Sequence, residues 1–244
     1  MGVTAIKHLT VVVDGSAASE AAVRYAGEFV RRAHVLGFQT SRYETHGGTA
    51  DAIIAYAREH GSESIVIGTQ AQNGVARSLG SAMESLMHIA DRPVIVVHQD
   101  DVPRDGPIAV ALSGYDAWHV VLDAAIAIAT ALGRELLLMS DITLPEYVAS
   151  YPTTEENAAT RLSDAADRAH AAGIKASITV GDGVGPVANM LISAAERRGC
   201  SMIVTGLHDR SGIVRLFVGS VAEKIVRDAH IPVAVVHHAR PPVH

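Results

Sequence analysis

Two stretches of this chain carry the residue types that hold a phosphate. Each follows an apolar run and closes on Gly-Ser before a helical pattern: Gly68 with Gly80 and Ser81, then Gly206 with Gly219 and Ser220. Glycines let backbone N–H groups approach an anion, and a helix N-terminus favours negative charge. Each loop also holds an arginine, Arg77 and Arg215, which could meet a phosphate or remain in solvent. A third stretch places Asp14, Gly15 and Ser16 directly after the apolar residues 11–13. An acidic residue then stands at the carboxyl end of a strand, where open α/β sheets bind ligands. The plain alternative is helix entry. Asp14 or Ser16 caps a helix starting near Ala17, and Ser81 and Ser220 act as N-caps with no ligand.

Other chemistry-bearing residues do not form a site. The chain has 13 histidines. His237 and His238 are adjacent on a strand and point to opposite faces, a poor chelate. Asp116 and His119 lie close to Ser113, but no G-x-S-x-G elbow surrounds that serine, and Asp116 reads as a helix cap. The lone Cys200 opens an apolar run and reads as a small core residue. Neither catalytic residues nor metal ligands are assigned. Trp118 reads as a packing anchor. His34 and His170 fall near helix ends, where the dipole favours them.

The elements that must position these residues come in two copies. Residues 65–98 and 203–237 repeat the order apolar run, glycine loop, Gly-Ser, helix and Pro-Val strand. The boundary falls in the charged, turn-rich residues 100–107. The expected units span residues 1–101 and 106–240. The second reads as five strands alternating with helices, the pattern of a parallel sheet with right-handed crossovers. In the first, one long helix runs from Ala17 to about Val35. It begins like the first helix of the unit and ends like the second. One strand-helix unit is therefore missing, and four strands remain.

Composition sets the outer limits. The chain has 244 residues, 48% hydrophobic and 19% charged, enough for a sizeable core and too apolar for disorder. The net charge of -6 offers no attraction to nucleic acid or an anionic membrane surface. No apolar run approaches the roughly 18 residues of a spanning helix. The first ten residues lack the apolar core of a signal peptide. One cysteine permits no intrachain disulfide. The expected location is the cytoplasm.

Taken together, the Val-x-x-Asp start, the glycine loops and the repeat resemble the universal stress protein family in its tandem, two-domain form. The resemblance implies two open parallel-sheet domains of the adenine nucleotide alpha hydrolase-like, Rossmann-like kind. It also implies a cytoplasmic stress-response protein. One subgroup of that family binds ATP through G-x2-G-x9-G-[ST]; another does not. ATP or ADP is thus the ligand the resemblance would supply.

Departures from the motif point to the second subgroup. Asp209 occupies the middle glycine position of the second loop, and Ser113 stands where Asp14 stands in the first half. At an effective dielectric of about 20, two like charges about 4 Å apart repel by roughly 4 kcal/mol. In the first half Ala71 replaces the middle glycine, the loop is one residue short, and the strand that would line an adenine pocket is missing. The sequence therefore predicts a regulatory or scaffold module with degenerate loops and an unidentified protein partner. The alternative is a nucleotide-binding protein with slow ATPase activity from a composite pocket. Family members place the Pro-Val strand at a sheet edge. Residues 94–97 and 233–236 are then expected to pair inside the chain as a pseudo-dimer, leaving another surface for a homodimer.

Overall fold

The computed structural model describes residues 5–33, 37–45, 47–70, 81–112, 118–140, 155–180, 186–208 and 221–238. The first half contributes β1 (His8–Val13), α1 (Ala17–Arg32), β2 (Gln39–Glu44), α2 (Ala50–Glu59), β3 (Ser64–Thr69), α3 (Ser81–Ile89) and β4 (Val94–His98). The second contributes β5 (Ile108–Ala111), α4 (Trp118–Leu132), β6 (Leu136–Ser140), α5 (Glu155–Ala171), β7 (Ala176–Val180), α6 (Val187–Arg197), β8 (Met202–His208), α7 (Val221–Asp228) and β9 (Val233–His238).

The four and five strands are joined in one nine-stranded sheet, ordered β2-β1-β3-β4-β9-β8-β5-β6-β7. Pairing is parallel within each half. At the seam β4 and β9 run antiparallel, with Val94 opposite Val235 and Val96 opposite Val233. The two sheets expected from the repeat are thus continuous.

Strand polarity explains this order. β4 and β9 are apolar on both faces and lie in the middle, where helices cover them. Ile95 and Val97 pack with α1, α4 and α5 on one side. Val94 and Val96 pack with α2, α3, α6 and α7 on the other. The outer strand β2 has the sequence QTSRYE and is largely exposed. Its charges, including Arg42 and Glu44, blunt an edge that would otherwise template pairing.

The helix expected to reach Val35 ends at Arg32, with Ala33 already extended. Arg31 and Arg32 turn to Glu28, and Arg32 also pairs with Asp105 of the connection between halves. Arg134 holds the same carboxylate at 2.7 Å. The connection is pinned further where the His98 N–H donates to Asp101 Oδ2 at 2.8 Å and Arg104 donates to the His230 carbonyl. Gly106 has φ +143°, and a Cβ there would lie 2.0 Å from the Gly199 carbonyl oxygen. Among the described residues, no helix is long and apolar enough to cross a membrane.

One surface pair gives a pH expectation. The Arg92 hydrogen bond is the largest influence on Asp91, and with Arg58 it holds the carboxyl at about 2 against a smaller opposing effect of burial. A depressed folded pKa stabilises above the unfolded value of about 3.9 and is lost as pH falls through the folded one. Because 40% of the Asp91 side chain is exposed, screening limits the effect to under about 1 kcal/mol. Asp91→Asn should therefore lower stability slightly at neutral pH. Urea titrations should show the gap closing between about pH 4 and pH 2.

Candidate functional site

The carboxyl edge of the first half is built by β1, β3 and the first turn of α1. β1 ends at Val13, and the chain reverses through Asp14, Gly15 and Ser16. Gly15 has φ +81°, a conformation glycine adopts without strain. The Ser16 N–H donates to Asp14 Oδ1 at 2.9 Å, closing an Asx turn. Ser16 is the N-cap of α1: its hydroxyl accepts the Ser19 N–H at 3.1 Å, and the Ser19 hydroxyl donates back to the Ser16 carbonyl. Burial pushes the Asp14 carboxyl up. Hydrogen bonds from Ser16 and Ser19 outweigh it and hold the group below its ordinary value. Asp14 is thus an anion that closes its own turn.

Gly68 lies inside β3. A Cβ there would sit 2.0 Å from the Ala18 carbonyl oxygen and 2.8 Å from the Ser19 nitrogen. Its missing side chain admits the first turn of α1 onto the strand. The same contact brings Gly68 and the Asp14 turn together. Ser81 opens α3. Arg77 and Gly80 lie outside the described residues, as does Ala71.

The second half repeats the frame with different neighbours. Gly206 lies in β8, paired with Val236 of β9. Ser113, Asp209, Arg215, Gly219 and Ser220 lie outside the described residues, as do Asp116 and His34, and α7 begins at Val221. β5 leads to Leu112, whose N–H donates to the Met139 carbonyl of β6 at 2.8 Å. β6 ends at Ser140, whose hydroxyl accepts from Arg161 Nη2 at 2.9 Å. Sequence reading missed Arg161. Its signal was its place on the apolar stripe of α5 with Ala158, Leu162, Ala165 and Ala169, all buried.

The antiparallel seam fixes the relation between the two edges. The carboxyl ends of β1, β3 and β4 emerge on the side from which β9, β8 and β5 start. Asp14 and Gly68 of the first half and Gly206 of the second therefore belong to opposite edges of the sheet.

Other groups are accounted for locally. A shallow cleft between α1 and the connection is lined by Arg32 and Arg134, both occupied by Asp105. Burial pushes the Cys200 thiol up to about 11, with Arg198 opposing, so the group stays protonated at neutral pH. His170 is in the last turn of α5, where its Nε2 accepts the Ala176 N–H at 3.3 Å. Trp118 is partly buried against the α1, α4 and α5 core. Among the described residues, no group of three or more His, Cys, Asp or Glu could hold a metal ion.

Comparison with known proteins gives consistent results. The sequence profile of the Universal stress protein family matches residues 36–98 and 106–237. A universal stress protein of Mycobacterium tuberculosis is 27% identical over 187 residues, 71% of this chain and 61% of the relative. The chain thus spans about six tenths of the length of that relative. A universal stress protein of Mycolicibacterium smegmatis is 29% identical over 209 residues, 79% of this chain and 70% of the relative. The solved structure of a universal stress protein from Archaeoglobus fulgidus superposes with a TM-score of 0.72 at 16% identity. It covers 95% of this chain and 98% of its own, a likeness of fold.

Proposed function

The chain belongs to the universal stress protein family, and from that premise we propose that it is a regulatory or scaffold module of the stress response with degenerate nucleotide loops. The observation that carries this reading is in the first half. Two groups the family motif would offer a nucleotide there, Asp14 and Gly68, already serve the fold. The Asp14 carboxylate closes its own turn, and the space beside Gly68 is filled by the Ala18 backbone. In the second half Ser113 replaces the strand-end acid and Asp209 brings a carboxylate into the loop. A composite pocket would need both sets of strand ends on one edge, and the antiparallel seam separates them. The module would work in the cytoplasm through its surfaces, on an unidentified protein partner or as a homodimer. The paired halves mimic a dimer within one chain.

The alternative is an adenine-nucleotide-binding stress protein, a slow ATPase at most. In its favour, Gly206, Gly219 and Ser220 keep the family spacing. Calorimetry separates the two. ATP with magnesium should give no dissociation constant tighter than about 100 µM, equivalent to roughly 5.5 kcal/mol. Asp209→Gly should tighten it by about tenfold or more as the opposing charge leaves. Submicromolar binding by the unaltered chain would establish the alternative.

A further inference from the structure

We propose that Arg161 is an anion-binding residue, holding the phosphate or carboxylate group of a small ligand at the carboxyl end of β6. Arg161 lies in the second turn of α5 and is 8% exposed. Its Nη2 donates to the Ser140 hydroxyl at 2.9 Å, and its Nε has no hydrogen-bond partner. Among the described residues, no carboxylate pairs with it. Arg168, two turns along the same helix, shows the contrast: it grips Asp123 through Nε at 2.9 Å and Nη2 at 2.7 Å. A guanidinium presents five donors in a planar fork that matches an oxyanion two bonds at a time. Among the described residues that fork meets one neutral serine oxygen, and its Nε stays unpartnered. A buried cation without a counterion is strongly unfavourable unless something supplies the opposite charge.

The position supports a ligand as that supplier. Ser140 is the last residue of β6, beside Leu112 at the end of β5. Open parallel sheets bind small molecules at the carboxyl ends of neighbouring strands. Burial lowers the readiness of Arg161 to stay charged, which an arriving anion would reverse. This inference goes beyond the function proposed above. It uses neither glycine loop, and a modest oxyanion site is compatible with weak ATP binding.

The test uses the full chain and thermal unfolding at constant ionic strength. Inorganic phosphate, AMP and succinate are compared with sodium chloride, each at about 20 mM. At least one oxyanion should raise the melting temperature of the unaltered chain by about 3 °C or more. The arm that does so identifies phosphate, nucleotide or carboxylate as the source. Arg161→Met should lose this shift and be as stable in chloride as the unaltered chain, because no described carboxylate loses its partner. Arg161→Lys keeps the charge without the fork and should lose more than half of the shift. Equal shifts in all three proteins, or no shift with any oxyanion, overturn the proposal. So does an Arg161→Met chain that melts lower in chloride or fails to fold, since its own groups would then satisfy Arg161. ATP calorimetry tests the functional reading separately, through Asp209.

Discussion

Gly68→Ala lowers the stability of the full chain by about 4 kcal/mol, enough to leave a domain of ordinary stability close to unfolding. The added methyl would meet the Ala18 carbonyl oxygen at 2.0 Å and the Ser19 nitrogen at 2.8 Å. Both are backbone atoms in the first turn of α1, so no side chain can swing aside. α1 must lift from β3, disturbing the packing of Ala22, Ala26 and Phe29, which are all buried. Overpacking a core costs about 1–3 kcal/mol when side chains can adjust, and a backbone obstacle lies above that range. Gly27→Ala is the control on the same helix. A Cβ at Gly27 meets nothing within 4 Å. It should stabilise by about 0.5–1 kcal/mol, because alanine favours a helix interior. Urea unfolding of both variants checks the pair. A Gly68→Ala loss below about 1 kcal/mol would mean that α1 does not sit on β3 as described.

The second large effect belongs to the seam. Val235 is opposite Val94 on one side and Thr205 on the other, so β9 has no free edge. Proline at this position removes an N–H and forces its ring into a central strand, a loss of about 3 kcal/mol or more. The seam also couples the halves. Trp118, the single tryptophan, lies in α4 of the second half and reports on the core around that helix, whereas circular dichroism reports on all the helices and strands. In the unaltered chain its fluorescence and the far-ultraviolet circular dichroism should unfold together, because one sheet spans both halves. In Val235→Pro the midpoint should fall sharply and the two signals should separate. Coincident curves with an unchanged midpoint would show that the seam contributes little.

The number and order of elements were legible in the sequence because their signals are local. The repeat marks two copies, and the shortened interval between Ala17 and Gln39 leaves no room for a second strand-helix unit. The apolar residues 94–97 and 233–236 could be recognised as strands that must be covered. The helix end at Arg32 was less legible. It depends on Glu28 nearby and on Asp105, which is remote in sequence.

The candidate site divides along the same line. Asp14, Gly15 and Ser16 announce a turn and a cap by residue type, and the sequence left capping and ligand contact level. The hydrogen bonds within residues 14–19 show the capping, a matter of a few ångströms along one stretch of chain. Gly68 reads from the sequence as a phosphate-loop glycine, and its packing role appears only in the fold. That role rests on Ala18, fifty residues earlier, whose approach no local pattern encodes. Arg161 is harder still, since an arginine on an alanine-rich helix gains meaning only when burial shows what surrounds it.

The sequence by itself determined the α/β class, the two copies, the missing unit and the motif departures at Ala71, Ser113 and Asp209. The class, the copies and the missing unit follow from composition, periodicity and spacing, which act over a few residues; the departures follow from the resemblance to the family motif. Only the tertiary structure decided that β4 meets β9 antiparallel, which continues one sheet through both halves and sends their carboxyl ends to opposite edges. The physical reason is that strand pairing and burial are contacts between distant segments. An apolar strand encodes its need for a partner, and the family resemblance pointed to residues 233–236 as the partner of 94–97, but the direction of the pairing comes from the assembled core.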